Sequence, residues 1–120
     1  MEIKHSAVAI IPCTDLNASQ AFYERLGFIP TSVYHDHGYR ILHDDRGASV
    51  HLTRVDRGWL IPERNVHGVY FYSEDVDALA ARLGCTAETK PWGLREFAIC
   101  DPDGTLVRIG WPQPTRASGP

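Results

Sequence analysis

The stretch PWGLREFAICDPDG, residues 91–104, decides the fold prediction for this chain together with the segment 105–111 that follows it. Pro102 presets its own φ, Asp103 can bond to the neighbouring backbone, and Gly104 tolerates positive φ, so this end of the stretch is typical of a tight turn. The segment after the turn alternates in the manner of a strand. Two strands therefore meet at the turn as a hairpin. Considered by itself, this stretch is typical of an ordinary surface hairpin preceded by a tryptophan.

The composition predicts one ordinary globular unit. The chain has 120 residues, of which 43% are hydrophobic, and this fits a single domain with a sizeable core. The formal net charge is -3, and basic residues never form a run longer than two. A nucleic-acid binder would show a basic patch, so the sequence argues against a nucleic-acid partner. A mildly acidic chain suits a cationic partner better.

The cysteines and the N-terminal segment indicate where the protein works. Cys13, Cys85 and Cys100 are odd in number, and their spacing fits neither a zinc site nor a redox pair. They are interpreted as free thiols in a reducing compartment. The apolar run near the N-terminus has only about six residues, too few for a signal peptide or a membrane span. We therefore expect a cytoplasmic protein without a membrane partner.

The first half of the chain predicts a strand, a helix and three further strands. Residues 7–11 are a short apolar run closed by Pro12, which favours a buried strand. A helix follows and ends at Gly27, a residue typical of the position after a helix. Residues 30–55 then alternate with period two and contain two turns, which predicts three strands. The N-cap candidates of the helix are Thr14, Asp15 and Asn17.

The second half repeats this order of elements. A strand over 66–73 precedes a helix that runs from about Asp75 to Gly84, with apolar residues at helical spacing. Both helices close on the sequence Arg-Leu-Gly, which indicates an internal duplication. The three strands that follow the second helix are expected at 86–90, 96–100 and 105–111.

The duplication predicts two βαβββ modules, one at about 5–56 and the other at about 66–111, joined by the long loop 57–65. Neither module would bury its helix and sheet faces well alone, so we expect one domain over 1–112. The remaining residues, 113–120, are rich in Pro, Ser, Thr and Gly and are predicted to be a disordered tail.

Three features together resemble the vicinal oxygen chelate superfamily, which contains glyoxalases, dioxygenases and bleomycin-resistance proteins. They are the two βαβββ halves, the helix end AFYERLGF at 21–28, and PWGLREFA at 91–98. The last of these is more typical of antibiotic-binding members, so the resemblance, which spans 5–111, is to the bleomycin-resistance branch. It implies an α+β fold whose two modules form a cupped, eight-stranded mixed sheet with the helices outside. It also implies a homodimer, in some members with exchanged strands, whose ligand grooves lie between the subunits.

The resemblance also permits a test for a metal. Metal-dependent members carry His or acidic ligands at three positions facing the cup, and these correspond to Val8, Gly68 and Arg108. Valine and glycine offer no ligand atom, and a guanidinium repels a divalent cation. We therefore expect no metal, no cofactor and no catalytic residue. The alternative is a nonstandard metal site, which would require bulges that change the face of a strand residue; its candidate ligands are His5, His51 and His67.

The cup is predicted to hold a flat molecule instead. The resemblance places Tyr70 where antibiotic binders have an aromatic plate, and it matches Trp92 to their tryptophan. Stacking of a flat ring on such a side chain is worth about 1 to 3 kcal/mol. Period-two alternation predicts that His51 and Arg108 face the cup. The other candidate ligand contacts are Tyr39 and Trp59, with Asp36, Asp56, Glu63 and Glu88 as candidate acidic contacts for a cationic tail. A buried Arg108 would need Glu96 or a polar ligand group as its partner.

Three functions follow from these observations. The leading hypothesis is a metal-free, homodimeric protein that confers resistance by sequestering a planar, cationic antibiotic of the bleomycin family. The first alternative is a glyoxalase-like, metal-dependent lyase or dioxygenase with the nonstandard site. The second alternative is a carrier or immunity protein for another planar small molecule, such as a quinone or a chromopeptide.

Overall fold

The structure is a computed structural model and describes residues 4–113. In module 1 the elements are β1 (Ala9–Cys13), α1 (Leu16–Glu24), β2 (Ile29–Tyr34), β3 (Tyr39–His43) and β4 (Ser49–Arg54). In module 2 they are β5 (Gly68–Tyr72), α2 (Val76–Arg82), β6 (Glu88–Thr89), β7 (Leu94–Cys100) and β8 (Leu106–Pro112). Short 3-10 turns lie at His35–His37, Arg57–Trp59 and Pro62–Arg64. None of the helices in the described part of the chain is long and apolar enough to cross a membrane.

The predicted α+β fold of two tandem βαβββ modules is confirmed. The strand orders are β1-β4-β3-β2 in module 1 and β5-β8-β7-β6 in module 2. In each module the first strand runs parallel to the last, and the other neighbours are antiparallel. The eight strands therefore form two mixed sheets of four rather than one continuous sheet, and β1 and β5 lie at sheet edges.

Each sheet packs one face against the helices. Strand residues on that face, such as Leu52 and Ile109, are fully buried, and their neighbours in sequence point to the opposite face. The buried residues of both modules form one hydrophobic cluster. Phe28 and Phe71 join the modules, with ring centroids 4.9 Å apart. Each module thus completes the core of the other, as the limited area of a single four-stranded module requires.

The turn at the end of the decisive stretch is buried between the modules. Asp101 accepts hydrogen bonds at Oδ1 from the backbone N–H groups of Asp103 (2.9 Å) and Thr105 (3.0 Å). Its Oδ2 atom accepts a hydrogen bond from the Tyr23 hydroxyl of α1 at 2.8 Å. The hairpin between β7 and β8 is confirmed, but the local interpretation of it as a surface hairpin was wrong. The chain folds α1 and the loop 57–65 over the turn.

The duplication extends to the turns. Asp44 accepts hydrogen bonds from the backbone of Arg46 (2.9 Å) and Ala48 (2.8 Å), as Asp101 does in module 2. Each turn also contacts the start of the other module's helix. The Asp103 carboxylate accepts from the backbone N–H and the hydroxyl of Thr14 at 3.0 and 2.7 Å, just before α1. The corresponding contact of Arg46 is with the carboxylates before α2, Glu74 and Asp75.

Several predicted boundaries change. The N-cap of α1 is Asp15, whose side chain accepts from the Ala18 N–H at 3.1 Å. The strand expected at 86–90 is reduced to β6, and β7 begins earlier than expected, at Leu94. Of the predicted tail, all but Gln113 lies outside the described residues.

Candidate ligand-binding site

The face of each sheet that points away from the helices is here called the open face. In module 2 the alternation of β5, β7 and β8 brings aromatic, charged and small residues to this face. The strand pairing places Tyr70 of β5 directly beside Arg108 of β8, and Ala98 of β7 on the other side of Arg108. Glu96 and Gly110 form the next opposite pair. Arg108 therefore lies on the face opposite the helices, as its period-two position predicts, and Tyr70 lies beside it.

Glu96 is the centre of a polar network on this face. Its Oε1 atom accepts a hydrogen bond from the Tyr70 hydroxyl at 2.8 Å and one from Trp92 Nε1 at 3.4 Å. Its Oε2 atom accepts from Arg108 Nη1 at 3.2 Å. The side chain of Glu96 is only 3% exposed, and a carboxylate this buried requires such partners. One side chain thus connects an aromatic residue of β5, the tryptophan before β7 and the arginine of β8.

The network sets the protonation states of its members. Burial acts to raise the pKa of Glu96, but the hydrogen bonds from Tyr70, Trp92 and Arg108 outweigh it, so the pKa lies below its usual value. Burial and the hydrogen bond to Glu96 raise the pKa of the Tyr70 phenol. At neutral pH, Glu96 is therefore ionised and Tyr70 keeps its proton, so the hydroxyl acts as a donor.

Gly110 makes the position of Tyr70 possible. A Cβ atom added at Gly110 would lie 2.1 Å from the Tyr70 hydroxyl oxygen, far inside van der Waals contact. Because Gly110 has no side chain, the Tyr70 side chain can cross β8 at this position and reach Glu96. The ring of Tyr72 lies beside that of Tyr70, with centroids 4.6 Å apart and planes tilted by 42°.

Module 1 carries a related pair on its open face. Tyr39 Oη and His51 Nδ1 share a hydrogen bond of 2.7 Å, and the rings meet edge to face. Burial first and the charge of His43 second lower the pKa of His51, which favours a neutral imidazole. Tyr39 and His51 hold the same positions in β3 and β4 as Glu96 and Arg108 hold in β7 and β8. The duplication thus places a neutral pair in one module and a charged pair in the other.

The structure divides the six predicted ligand contacts into three groups. Tyr70, Trp92 and Arg108 meet around Glu96, whereas Tyr39 and His51 lie together on the other module. The sixth contact, Trp59, lies in the loop 57–65 and is 82% exposed.

Two details differ from the expectation. The side chain of Arg108 is 48% exposed rather than buried, and Glu96 is the buried member of the pair. The Tyr70 hydroxyl and the Trp92 indole N–H both donate to the same oxygen, Oε1 of Glu96, so the two side chains meet through their polar ends. The prediction of Glu96 as the partner of Arg108 is confirmed, but its contacts with both aromatic residues were missed. The sequence signal for it is a lone carboxylate in β7, followed at period-two spacing by the small residues Ala98 and Cys100.

Potential metal ligands do not cluster in the described part of the chain. Among residues 4–113, no three His, Cys, Asp or Glu side chains come together in a group that could hold an ion. The three alternative ligands are dispersed: His51 bonds to Tyr39, and His5 and His67 are exposed on segments outside the strands.

A cavity of about 500 Å³ opens between the modules, and of the residues around Glu96 only Tyr70 lines it. It lies between the two edge strands, β1 and β5, and its size is typical of small-molecule sites. Tyr70 lines this cavity and also reaches Glu96. Its other lining residues include Val8, Phe28, Phe71, Tyr72 and Trp111.

Comparisons with solved structures show proteins of the same fold. A bleomycin-binding protein complexed with bleomycin is 22% identical, with a TM-score of 0.78, and the match covers 92% of this chain and 100% of that one. A bleomycin resistance determinant encoded on the transposon Tn5 is also 22% identical, with a TM-score of 0.79 and the same coverage. TnmS3, an antibiotic-binding protein from Streptomyces sp. CB03234, is 29% identical, with a TM-score of 0.67 over 94% of this chain and 99% of that one.

The comparison with curated proteins gave no match. A family model described as Glyoxalase/Bleomycin resistance protein/Dioxygenase superfamily matches residues 3–109, which is most of the chain. The chain therefore belongs to the glyoxalase/bleomycin resistance protein/dioxygenase superfamily, and its fold is that of the superfamily's bleomycin-resistance branch.

Proposed function

We propose that this protein confers resistance by sequestering a planar, cationic antibiotic of the bleomycin family, without a metal and without chemical change to the drug. The binding grooves lie between the two subunits of a homodimer. The observation that carries this function is the convergence of Tyr70 and Trp92 on Glu96 at the open face of module 2. Fixed aromatic rings beside open space suit a flat ligand, since each stacked ring contributes about 1 to 3 kcal/mol.

The exposed apolar surface supports a dimer. On the open face of module 1, Ile10 and Ile29 are each more than half exposed, and Tyr34 is nearly so. Trp92 is 62% exposed on module 2. Exposed large apolar side chains that recur on one sheet face are typical of an interface or a ligand groove. A second copy that covers part of these faces would enclose a groove beside the aromatic rings.

The solved relatives support the choice of ligand. One of them was crystallised with bleomycin, another is described as a bleomycin resistance determinant, and TnmS3 is described as an antibiotic-binding protein. The non-enzymatic function is supported by the identity of Val8, Gly68 and Arg108, because none of these side chains can donate a lone pair to a metal. Three free cysteines suit a cytoplasmic location, where thiols stay reduced.

Calorimetric titration with metal-free bleomycin tests the function. We expect up to two sites per dimer in the wild type. Tyr70→Ala and Trp92→Ala should each weaken binding by about 5-fold to 100-fold, since each removes one stacking surface. Val66→Ala, at an exposed position just before β5, serves as the control and should bind as the wild type does.

Three results would count against parts of the function. Failure to bind at high micromolar concentration rejects bleomycin as the ligand. Binding of a quinone or chromopeptide antibiotic in the same titration would then favour the carrier function. Stoichiometric zinc, nickel, iron or manganese in purified protein, with activity lost on chelation, would replace sequestration by metal-dependent catalysis.

A further inference from the structure

The charged groups on the open face of module 2 are unequally available to a ligand. Glu96 is almost completely buried, and three donors occupy its oxygens. Glu88 lies opposite Glu96 on β6 and pairs with Lys90 at 3.1 Å. Arg108, in contrast, is half exposed and has one hydrogen-bonding partner within residues 4–113, Glu96. A bound molecule would therefore meet the guanidinium rather than the Glu96 carboxylate.

The surroundings of Arg108 leave its other donors accessible. A guanidinium has five N–H groups in a planar fork, and the contact with Glu96 uses one nitrogen, Nη1. On one side, the residue opposite Arg108 is Ala98, whose methyl group is small and exposed. On the other side is Tyr70, whose ring belongs to the proposed stacking surface. The free N–H groups thus lie beside the place where the edge of a stacked ring would be.

We infer that the ligand carries an oxygen acceptor or an anionic group, such as a carbonyl, phenolate or carboxylate, at the edge of its planar ring, and that Arg108 binds this group. The inference rests on the proposed function and specifies the chemistry of the part of the ligand bound there. A guanidinium forms its strongest hydrogen bonds to anionic oxygens, and it repels a cation placed at the same point. The cationic tail of an antibiotic would extend away from Arg108.

Two fluorescent acridines of matched ring system test this recognition. Acridine-9-carboxylate is an anion at neutral pH, and 9-aminoacridine is a cation. We expect the wild type to bind the carboxylate at least about tenfold more tightly, because charge-assisted hydrogen bonds contribute more than neutral ones. Arg108→Gln should remove most of this preference, and Arg108→Lys, which keeps the charge, should retain part of it.

Two further variants control the experiment. Arg54→Gln alters an exposed arginine at the end of β4 and should leave the preference unchanged. Arg108→Gln leaves the buried Glu96 without its positive partner, and an unpaired buried charge lowers stability. The double variant Glu96→Gln, Arg108→Gln removes both charges together and should also lose the preference.

The outcomes separate the inference from the function. Equal or tighter binding of 9-aminoacridine by the wild type overturns the role of Arg108, while planar-ligand binding at Tyr70 and Trp92 stands. An unchanged preference in both Arg108→Gln variants also overturns it. If neither acridine binds at millimolar concentration, the inference fails, and the bleomycin titration decides separately whether the proposed function fails as well.

Discussion

At the scale of the residue, the site depends on side chains whose importance comes from what they hold in place. Glu96 orients two aromatic groups through hydrogen bonds and offsets the charge of Arg108. Gly110 contributes by lacking a side chain, because the Tyr70 hydroxyl passes over it. Neither residue needs to contact a ligand for its loss to weaken binding.

The first prediction concerns Gly110. We expect Gly110→Ala to push the Tyr70 hydroxyl away from Glu96, since overpacking of this kind costs about 1 to 3 kcal/mol. Ligand affinity should fall by about tenfold or more, as expected when a stacking surface is lost. The pKa of Tyr70, raised by burial and by Glu96, should move back towards the usual tyrosine value.

Absorbance titration of tyrosinate measures that change, with Tyr70→Phe identifying the relevant phenol. Gly58→Ala is the matched control, because a Cβ added at Gly58 meets nothing within 4 Å. Full affinity and an unshifted Tyr70 pKa in Gly110→Ala would contradict the geometry.

The second prediction concerns the pH dependence of stability. The folded-state pKa of Glu96 lies below its ordinary value of 4.5, so the unfolded chain takes up the proton first as the pH falls. The stabilisation from ionised Glu96 is therefore complete above about pH 4.5 and is lost as the pH falls towards the folded-state pKa. The difference in free energy of unfolding between wild type and Glu96→Gln should shrink over this range.

Urea denaturation at pH 7, 5, 4 and 3 measures this difference. Asp101 also titrates in acid, since burial raises its pKa, but it is present in both proteins and its contribution cancels in the comparison. A difference that stays constant between pH 7 and pH 3 would show that the pKa of Glu96 is the same in the folded and unfolded states, and that the network does not lower it.

At the scale of the element, the turns that connect the last two strands of each module also join the modules. Module 2 docks its turn on α1 through Tyr23 and Thr14, and module 1 docks its turn on the start of α2 through Arg46. The Asp101 carboxylate is buried, so its partners matter for stability more than those of an exposed carboxylate.

The third prediction concerns the contact between the module 2 turn and α1. Tyr23→Phe removes the hydroxyl that donates to Asp101 and leaves the ring in the core. We expect a loss of about 1 to 3 kcal/mol in the free energy of unfolding at pH 7, the usual cost of leaving a buried charged group with one fewer partner. Tyr34→Phe, at a half-exposed tyrosine, is the control and should change stability little. Equal stability of the two variants in denaturant would indicate that the turn is not held by α1.

At the scale of the whole molecule, the proposed dimer would place the open faces of the two sheets at its interface. Ile29 lies directly opposite His43 and shares the open face of module 1 with Tyr39 and His51. Val33, on the same strand, lies opposite Arg40 and points to the helix side. One strand therefore offers a test position on each face.

The fourth prediction is that Ile29→Asp yields a monomer. A carboxylate in an apolar interface loses hydration without a partner, so the dimer should dissociate while the fold persists. Sedimentation velocity measures the association, and circular dichroism checks the fold. Val33→Asp should remain dimeric, and ligand affinity should fall in Ile29→Asp alone if the grooves lie between subunits. A dimer that survives Ile29→Asp would place the interface elsewhere.

The sequence by itself determined the elements and the faces of their residues. Both helices, the eight strands and the β7–β8 hairpin follow from apolar periodicity, capping residues and turn chemistry, all of which act within a few residues along the chain. The same alternation placed Tyr70 and Arg108 on one face. Boundaries such as those of β6 shifted because strand ends depend on pairing partners as well as on local preference.

Only the tertiary structure decided what these elements do together. The division of eight strands into two sheets, the burial of the Asp101 turn and the convergence of Tyr70, Trp92 and Arg108 on Glu96 all depend on contacts between distant segments. Burial is a property of packing. No local sequence pattern shows that the Glu96 carboxylate will be only 3% exposed and will accept hydrogen bonds from three side chains. The chemistry of the site was therefore visible in the residue types, but its organisation around Glu96 came from the fold.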